Sequence, residues 1–289
     1  MAVPSSGNID LHVHSNHSDG LKSVGEIVRL AQARRLRAIA ITDHDVTSGV
    51  QEAIEAGLRH GVEIVPGIEI SAMCLGCETH ILGYFIDPLY PPLQQFAENF
   101  RRHRCERARE ILRKLIPHGI DIPFDLLQLR AGHSAIGRPH IADLLVEEGF
   151  VFSFQEAFNK YLAYNRPAYV PKIHVEAEQA IQLIQQAGGL AFLAHPAVGI
   201  ADEAIYQLID CGLDGLETLH PKHSSSQIAY YQELARKWEL AETGGSDCHG
   251  ARQGELMLGC MMVPFSYLEN IKGRLLRTQQ PTPRTGLTS

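Results

Sequence analysis

The chain has 289 residues, room for one large domain or two ordinary ones. Its 45% hydrophobic and 20% charged residues indicate a packed core rather than a disordered polymer. A formal net charge of −7 argues against broad binding along a nucleic-acid backbone but leaves room for a small, locally positive phosphate site. Residues 1–8 carry no basic segment followed by an apolar one, and no apolar run is long enough to span a bilayer. The expectation is therefore a cytoplasmic protein without a membrane partner. The six cysteines (Cys74, Cys77, Cys105, Cys211, Cys248, Cys260) do not form the pattern of a secreted disulfide framework and read as reduced thiols.

In chain order, Ile9–Val13 predicts a strand that leads into Asp10-Leu11-His12-Val13-His14. On a strand, the i, i+2 spacing of His12 and His14 puts both rings on one face. Imidazole is the commonest neutral ligand for a divalent metal, and Asp19 adds a hard oxygen donor before the turn-permitting Gly20. Helical spacing over Val24–Arg35, a strand at Ala38–Ile41 and a helix over Ser48–His60 continue the alternation. The second strand ends in Thr42-Asp43-His44-Asp45, where Asp43 and Asp45 could orient the imidazole or serve as surface caps. Strands over Val62–Ile70 and His80–Ile86 carry Glu69 and His80. Between them, Cys74-Leu75-Gly76-Cys77 lacks the second ligand pair of a structural zinc site and predicts a hairpin turn.

The alternation stops at Asp87-Pro88 and Tyr90-Pro91-Pro92. Helical patterns then fill the segment up to about Ala168: Leu93–Leu115, Asp125–Arg130, Ile141–Glu148 and Ser153–Leu162. Alternation returns with Glu176–Ala187 and with Leu190–Ala194, which runs into His195. It continues through Ala201–Cys211, Gly215–Thr218 and Ser225–Trp238 to Gly244-Gly245-Ser246-Asp247-Cys248-His249. The expected domains are a discontinuous α/β barrel (1–88 and 170–272), a helical insertion (89–169) and a Thr/Pro/Gln-rich tail (273–289), poorly ordered from Arg277. In such a barrel the strand C-termini open on one face, so distant segments converge there.

These motifs together resemble the PHP (polymerase and histidinol phosphatase) family of metal-dependent phosphoesterases. The likeness rests on His12-x-His14 with Ser18-Asp19-Gly20, Thr42-Asp43-His44, Gly67-Ile68-Glu69, His80, Ala194-His195-Pro196 and Ser246-Asp247-x-His249. The resemblance implies a distorted parallel (β/α)7 barrel and two or three divalent cations of manganese, zinc or iron. One cation would be held by His12, His14, Glu69 and Asp247. A second would share Glu69 and add His80 and His195, and a third would use Asp19, His44 and His249. The reactive groups implied are Glu69, Asp247 and His195.

Three further segments resemble the branch acting on nucleoside 3′,5′-bisphosphates: Gly137–Ala142, Pro167–Lys172 and Glu217–Ser224. They make Arg138, Lys172 and His223 candidates for contacting substrate, with His140 of interest for its position. The implied partner is a small phosphorylated nucleotide or an RNA 5′ end, and the activity a phosphoric monoester hydrolase releasing the 3′-phosphate. AMP phosphatase, 5′-to-3′ RNA-end processing and histidinol-phosphate phosphatase are the alternatives, and a non-enzymatic module is disfavoured because no ligand is missing. His17, His60, His103, His118, His133, His174 and His220 read as ordinary histidines, and Cys248 as a packing residue.

Overall fold

A computed structural model describes residues 8–132, 134–251 and 256–278. His133, the N-terminal segment before residue 8 and most of the expected tail lie outside the described residues. Strands β1 (Asn8–Val13), β2 (Ala38–Ile41), β3 (Glu63–Cys74) and β4 (Cys77–Tyr84) form the first half of the sheet. Helices α1 (Val24–Ala33) and α2 (Val50–His60) connect β1 to β2 and β2 to β3. Ser23 caps α1 in a reciprocal box with Glu26, and Val24, Ile27, Val28 and Ala31 form its buried stripe.

Residues Leu75 (φ 50°) and Gly76 (φ 76°) make the two-residue turn between β3 and β4, with Cys74 paired directly to Cys77. The second half of the sheet contains β5 (Val175–Glu176), β6 (Leu190–Leu193), β7 (Gly215–Leu219), β8 (Ala241–Gly244) and β9 (Val263–Pro264). Its helices are α7 (Ala177–Gln186), α8 (Asp202–Asp210), α9 (Ser225–Lys237) and α10 (Phe265–Thr278). Because α10 continues to Thr278, the part of the expected tail from 273 to 278, Arg277 included, is helical.

The pairing order is β8-β7-β6-β4-β3-β2-β1-β9, with β5 on the outer part of β3. A parallel bridge between Val13 and Cys248 brings the β1 end to the β8 end, so the cylinder is nearly closed. It is not uniformly parallel: β4 runs antiparallel to both β3 and β6. An antiparallel strand presents its beginning where its neighbours present their ends. This is why His80, early in β4, reaches the same rim as residues at the C-terminal ends of the other strands.

Inside the sheet, Ile9, Leu11, Val65, Leu82, Tyr84 and Phe192 pack together, and Phe265, Leu268 and Ile271 of α10 join them. The Tyr84 hydroxyl donates to the Leu11 carbonyl (2.8 Å) and accepts from Thr243 Oγ1 (3.1 Å). Other cores lie outside the sheet, under α1 and α2 on one side, where Cys248 is buried, and under α7, α8 and α9 on another.

The insertion consists of α3 (Pro91–Leu115), α4 (Phe124–Ala131), α5 (Arg138–Glu147), α6 (Phe154–Ala157) and a π-helical turn at Phe158–Leu162. Residues from Ala108 to Ala168 form a core of their own. Helix α3 joins the two bodies: Leu93 and Phe96 pack on the barrel, whereas Ile111, Leu112 and Leu115 belong to the insertion. No helix among the described residues is long and apolar enough to cross a membrane.

Tyr84→Phe would strand the Leu11 carbonyl and the Thr243 hydroxyl inside the sheet. The expected loss is about 1–3 kcal/mol, read as a lower urea midpoint with an unchanged slope.

Candidate metal centre

Glu69, fully buried on β3, is the centre of the rim. Its Oε2 lies 3.4 Å from His12 Nε2, 3.2 Å from His14 Nε2 and 3.0 Å from His44 Nδ1. Its Oε1 lies 2.9 Å from His80 Nδ1 and 3.2 Å from His195 Nε2. Asp247 Oδ1 faces His12 Nε2 (3.5 Å) and His14 Nε2 (3.2 Å), and Asp19 Oδ1 is 3.3 Å from His249 Nε2. All nine side chains expected from the sequence as ligands therefore converge at one rim. They do not separate into exclusive sets: His14 groups with His12 and Asp247, and also with Asp19, His44 and His249, while His44 also groups with Glu69 and His80.

The electrostatics follow from this packing. Burial opposes ionisation of Glu69, yet the imidazoles of His44, His80 and His12 outweigh it and hold the carboxyl well below its usual range. Asp247 is likewise held low, against burial, by His12 and His14. Burial disfavours the His14 cation, but Asp247 and Glu69 push its pKa up to about 10.

Several of the converging atoms make no hydrogen bond although they are buried: His12 Nε2, His14 Nε2, His44 Nδ1 and Glu69 Oε2. Buried polar atoms are normally satisfied. Three ring nitrogens facing one carboxylate oxygen without a hydrogen bond are the arrangement that a cation completes. The mixed nitrogen and oxygen donors suit divalent transition metals.

The loops carrying these groups are fixed by carboxylates that local spacing does not reveal as a set. Asp10 Oδ1 and Oδ2 accept from Ser246 N (2.9 Å), Ser246 Oγ (2.6 Å) and Gly259 N (2.7 Å), which ties β1 to the loop bearing Asp247. Asp43 accepts from Ser15 N (2.8 Å), Ser15 Oγ (2.6 Å) and Ser18 Oγ (2.5 Å), holding the turn before Asp19. Asp45 accepts from Ser71 N (2.7 Å) and pairs with Arg104 of α3. Both aspartates flanking His44 are thus buried loop anchors rather than surface caps. Glu217 was also missed, although it lies on a strand three residues before a histidine.

One cavity opens on the centre, and a second has Asp45, next in sequence to His44, in its wall. The first, of about 540 Å³, is lined by Asp19, His220, Lys222, Asp247, His249 and, from the insertion, Pro139 and Phe154 among others. His220, expected to be ordinary, is 1% exposed; its Nδ1 accepts from Lys222 N (3.1 Å) and its Nε2 faces Asp247 Oδ2 at 3.5 Å. The other cavity, about 260 Å³, is lined by Arg104, Arg107, Lys172, His103, Asp45 and Val170 among others. Lys172 pairs with Glu78 and donates to Ser71 Oγ (3.3 Å).

Arg138 donates to the Leu162 carbonyl (3.2 Å) and lies 5.7 Å and 5.8 Å from the Phe158 and Tyr169 ring centres, inside the insertion. His223 sits behind His220, its Nδ1 3.1 Å from the Thr218 carbonyl. His140 Nδ1 accepts from Gly137 N (3.1 Å) at the start of α5. His17 turns away to Ser48 and Glu52.

An α/β barrel whose rim gathers imidazoles and carboxylates around one buried glutamate is the arrangement of a metal-dependent hydrolase. The chain belongs to the PHP domain family, whose model matches residues 10–194. It is 34% identical to the 3′,5′-nucleoside bisphosphate phosphatase of Chromobacterium violaceum, over 86% of this chain and 89% of that protein. It is also 34% identical to the 5′-3′ exoribonuclease Rnm of Escherichia coli, over 83% and 84% of the two chains. A Bifidobacterium adolescentis protein assigned as a metal-dependent phosphoesterase superposes with a TM-score of 0.86 at 29% identity, covering 94% of this chain and 98% of that one.

Close packing at the rim generates a test away from the ligands. A Cβ on Gly245 would lie 2.4 Å from His12 Cβ and 2.5 Å from His12 N. Gly245→Ala is expected to displace His12 or the neighbouring Asp247 loop and weaken metal binding about 10-fold or more, measured by titration calorimetry.

Proposed function

We propose that the protein releases the 3′-phosphate of nucleoside 3′,5′-bisphosphates, using divalent cations held by His12, His14, Asp19, His44, Glu69, His80, His195, Asp247 and His249. The observation that carries this reading is a second cavity beside the cluster. There Arg104, Arg107 and Lys172 stand among Asp45, Glu106 and Glu110, and Arg107 donates to the Val170 carbonyl rather than to a carboxylate. Burial, with Arg138 and Arg104 close by, lowers the Arg107 pKa to about 10. A dianionic group would relieve that crowding of cations.

The cavity adjoins the cluster through two short connections. Asp45 follows His44 in sequence, and Glu78 pairs with Lys172 while its Oε1 lies 3.7 Å from His80 Nε2. A substrate with two phosphates can therefore place one at the cluster and the other against Arg104, Arg107 and Lys172. Arg138 stands next to this group, and His223 backs His220.

Bound cations would neutralise phosphoryl oxygens and lower the pKa of a water molecule. The chain supplies the remaining requirements. Glu69 supplies the negative charge that balances the cations, and His195 flanks its Oε1. Asp247 turns Oδ2 towards the larger cleft, where it can hold a proton of the attacking water. Lys222 Nζ, 3.4 Å from that oxygen, and His220 Nε2 meet the phosphoryl group from the same side. Pro139 and Phe154 wall the cleft, as a monoesterase pocket requires.

A second reading, trimming of 5′-phosphorylated RNA ends, is favoured by Phe152 and Tyr164 on the insertion. They are 95% and 73% exposed and present faces on which unpaired bases stack. Phosphate and nucleotide release by the manganese-, zinc- or iron-loaded protein decides between the two. The panel is a 3′,5′-bisphosphate, AMP, histidinol phosphate and a short 5′-phosphorylated RNA. Fastest turnover of the bisphosphate supports the first reading, and mononucleotides released from RNA at higher kcat/KM replace it with the second.

Glu69→Gln is expected to lower kcat about 100-fold or more in a protein that still folds, because a neutral amide cannot balance the cationic cluster. Near-normal turnover at full metal loading would remove Glu69 from the mechanism. Arg107→Ala is expected to lower kcat/KM for a bisphosphate by about 10- to 150-fold, the value of one charge-assisted contact, with little change for an aryl phosphate. Parallel kinetics with the two substrates check this.

A further inference from the structure

Glu217 on β7 is fully buried and contributes to neither cavity wall described above. Each of its oxygens is engaged by a different candidate ligand. Oε1 is 3.0 Å from His12 Nδ1, and Oε2 accepts from the backbone N–H of His195 at 2.7 Å. These histidines stand on opposite oxygens of Glu69, His12 at Oε2 and His195 at Oε1. His195 also has φ +29°, a backbone conformation that L residues rarely adopt and that surrounding contacts must hold.

We propose that Glu217 is a positioning residue that couples the two halves of the cation cluster, holding His12 as its Nδ1–H tautomer and His195 in its strained backbone conformation. The proposal rests on the reading of the rim as a cation site. The tautomer follows from what a carboxylate can do. An ionised carboxylate only accepts, so the proton of a neutral His12 ring sits on Nδ1 and the Nε2 lone pair is left towards Glu69 and Asp247. The same carboxylate then has one oxygen left, and it takes the only N–H of the His195 peptide.

Both functions need two acceptors on one side chain. Glutamine has the same shape with one acceptor and one donor. With its amide nitrogen towards His12, it would donate to Nδ1 and move the ring proton to Nε2, closing that atom to a metal. With its amide nitrogen towards His195, two N–H groups would oppose each other where a 2.7 Å hydrogen bond now stands. Either orientation disables one half of the cluster, so a change on β7 should weaken ligands carried by β1 and by the segment after β6.

The test uses the full chain with Zn²⁺ as the probe. Calorimetric titration and metal content are compared for the wild type and Glu217→Gln, with thermal melts of the metal-free proteins as the folding control. In parallel, ring ¹⁵N shifts are recorded for His12 in the zinc-loaded wild type. The expected result is a cooperative melt for both proteins, an affinity about 10- to 100-fold weaker for the variant, and His12 protonated on Nδ1 with Nε2 unprotonated. A variant affinity within about threefold of wild type overturns the proposal, against that 10- to 100-fold expectation. So does a His12 ring protonated on Nε2 or bound to zinc through Nδ1, a result that needs no variant to fold. A wild type that binds no zinc, manganese or iron would instead overturn the cation reading beneath it.

Discussion

The rim of this barrel depends on one buried carboxylate. Glu69 lies within 3.4 Å of five imidazole nitrogens, three on one oxygen and two on the other. A charge in that position is costly unless opposite charge surrounds it. The histidines come from β1, β4 and the ends of β2 and β6, strands that lie side by side around β3, and closure of β1 on the β8 end adds Asp247 and His249.

Around this centre lies a ring of carboxylates whose partners are mostly backbone groups and serines, with Arg104 added at Asp45. Asp10, Asp43 and Asp45 each anchor a loop that carries a ligand, and Glu217 anchors a ring and a peptide at once. The effect is preorganisation: conformational cost is met during folding, not during binding. It also accounts for left-handed backbone at His195 (φ +29°), Asp247 (φ +51°) and Asp45 (φ +57°), for two of which the restraint is visible. Glu217 holds the N–H of His195, and the Glu69 carbonyl holds that of Asp45 at 2.9 Å.

The insertion supplies what the barrel rim lacks. Cations treat phosphate esters alike, so discrimination falls to groups outside the ligand shell. Arg104 and Arg107 stand on α3, the helix that packs on the barrel at one end and on the insertion core at the other. Arg104 pairs with Asp45, and Asp45 holds Ser71 on the strand of Glu69. The smaller cavity and the rim are therefore tied together through Asp45.

Much of the centre was legible in the sequence because its ligands are local patterns on strands. His12-x-His14 places two donors on one face by strand geometry alone, and Glu69 and His195 stand where apolar runs meet the rim, whereas Asp247 and His249 follow β8 with Asp247 in left-handed backbone. The run of helices from α3 to α6 was legible from the loss of strand–helix alternation, and the Leu75-Gly76 turn from its residues. Other features depend on contacts far apart in the chain. Asp10 meets Ser246 across 236 positions, and Glu217 meets His12 across 205. His220 looked ordinary because its value lies in a tautomer set by a neighbouring N–H and in a cleft that no spacing describes. The reversal of β4 is a choice of pairing, which a strand's own residues do not specify. Periodicity and spacing record what one segment can present, but which buried carboxylate holds which loop is decided only when the sheet closes and every polar group must find a partner.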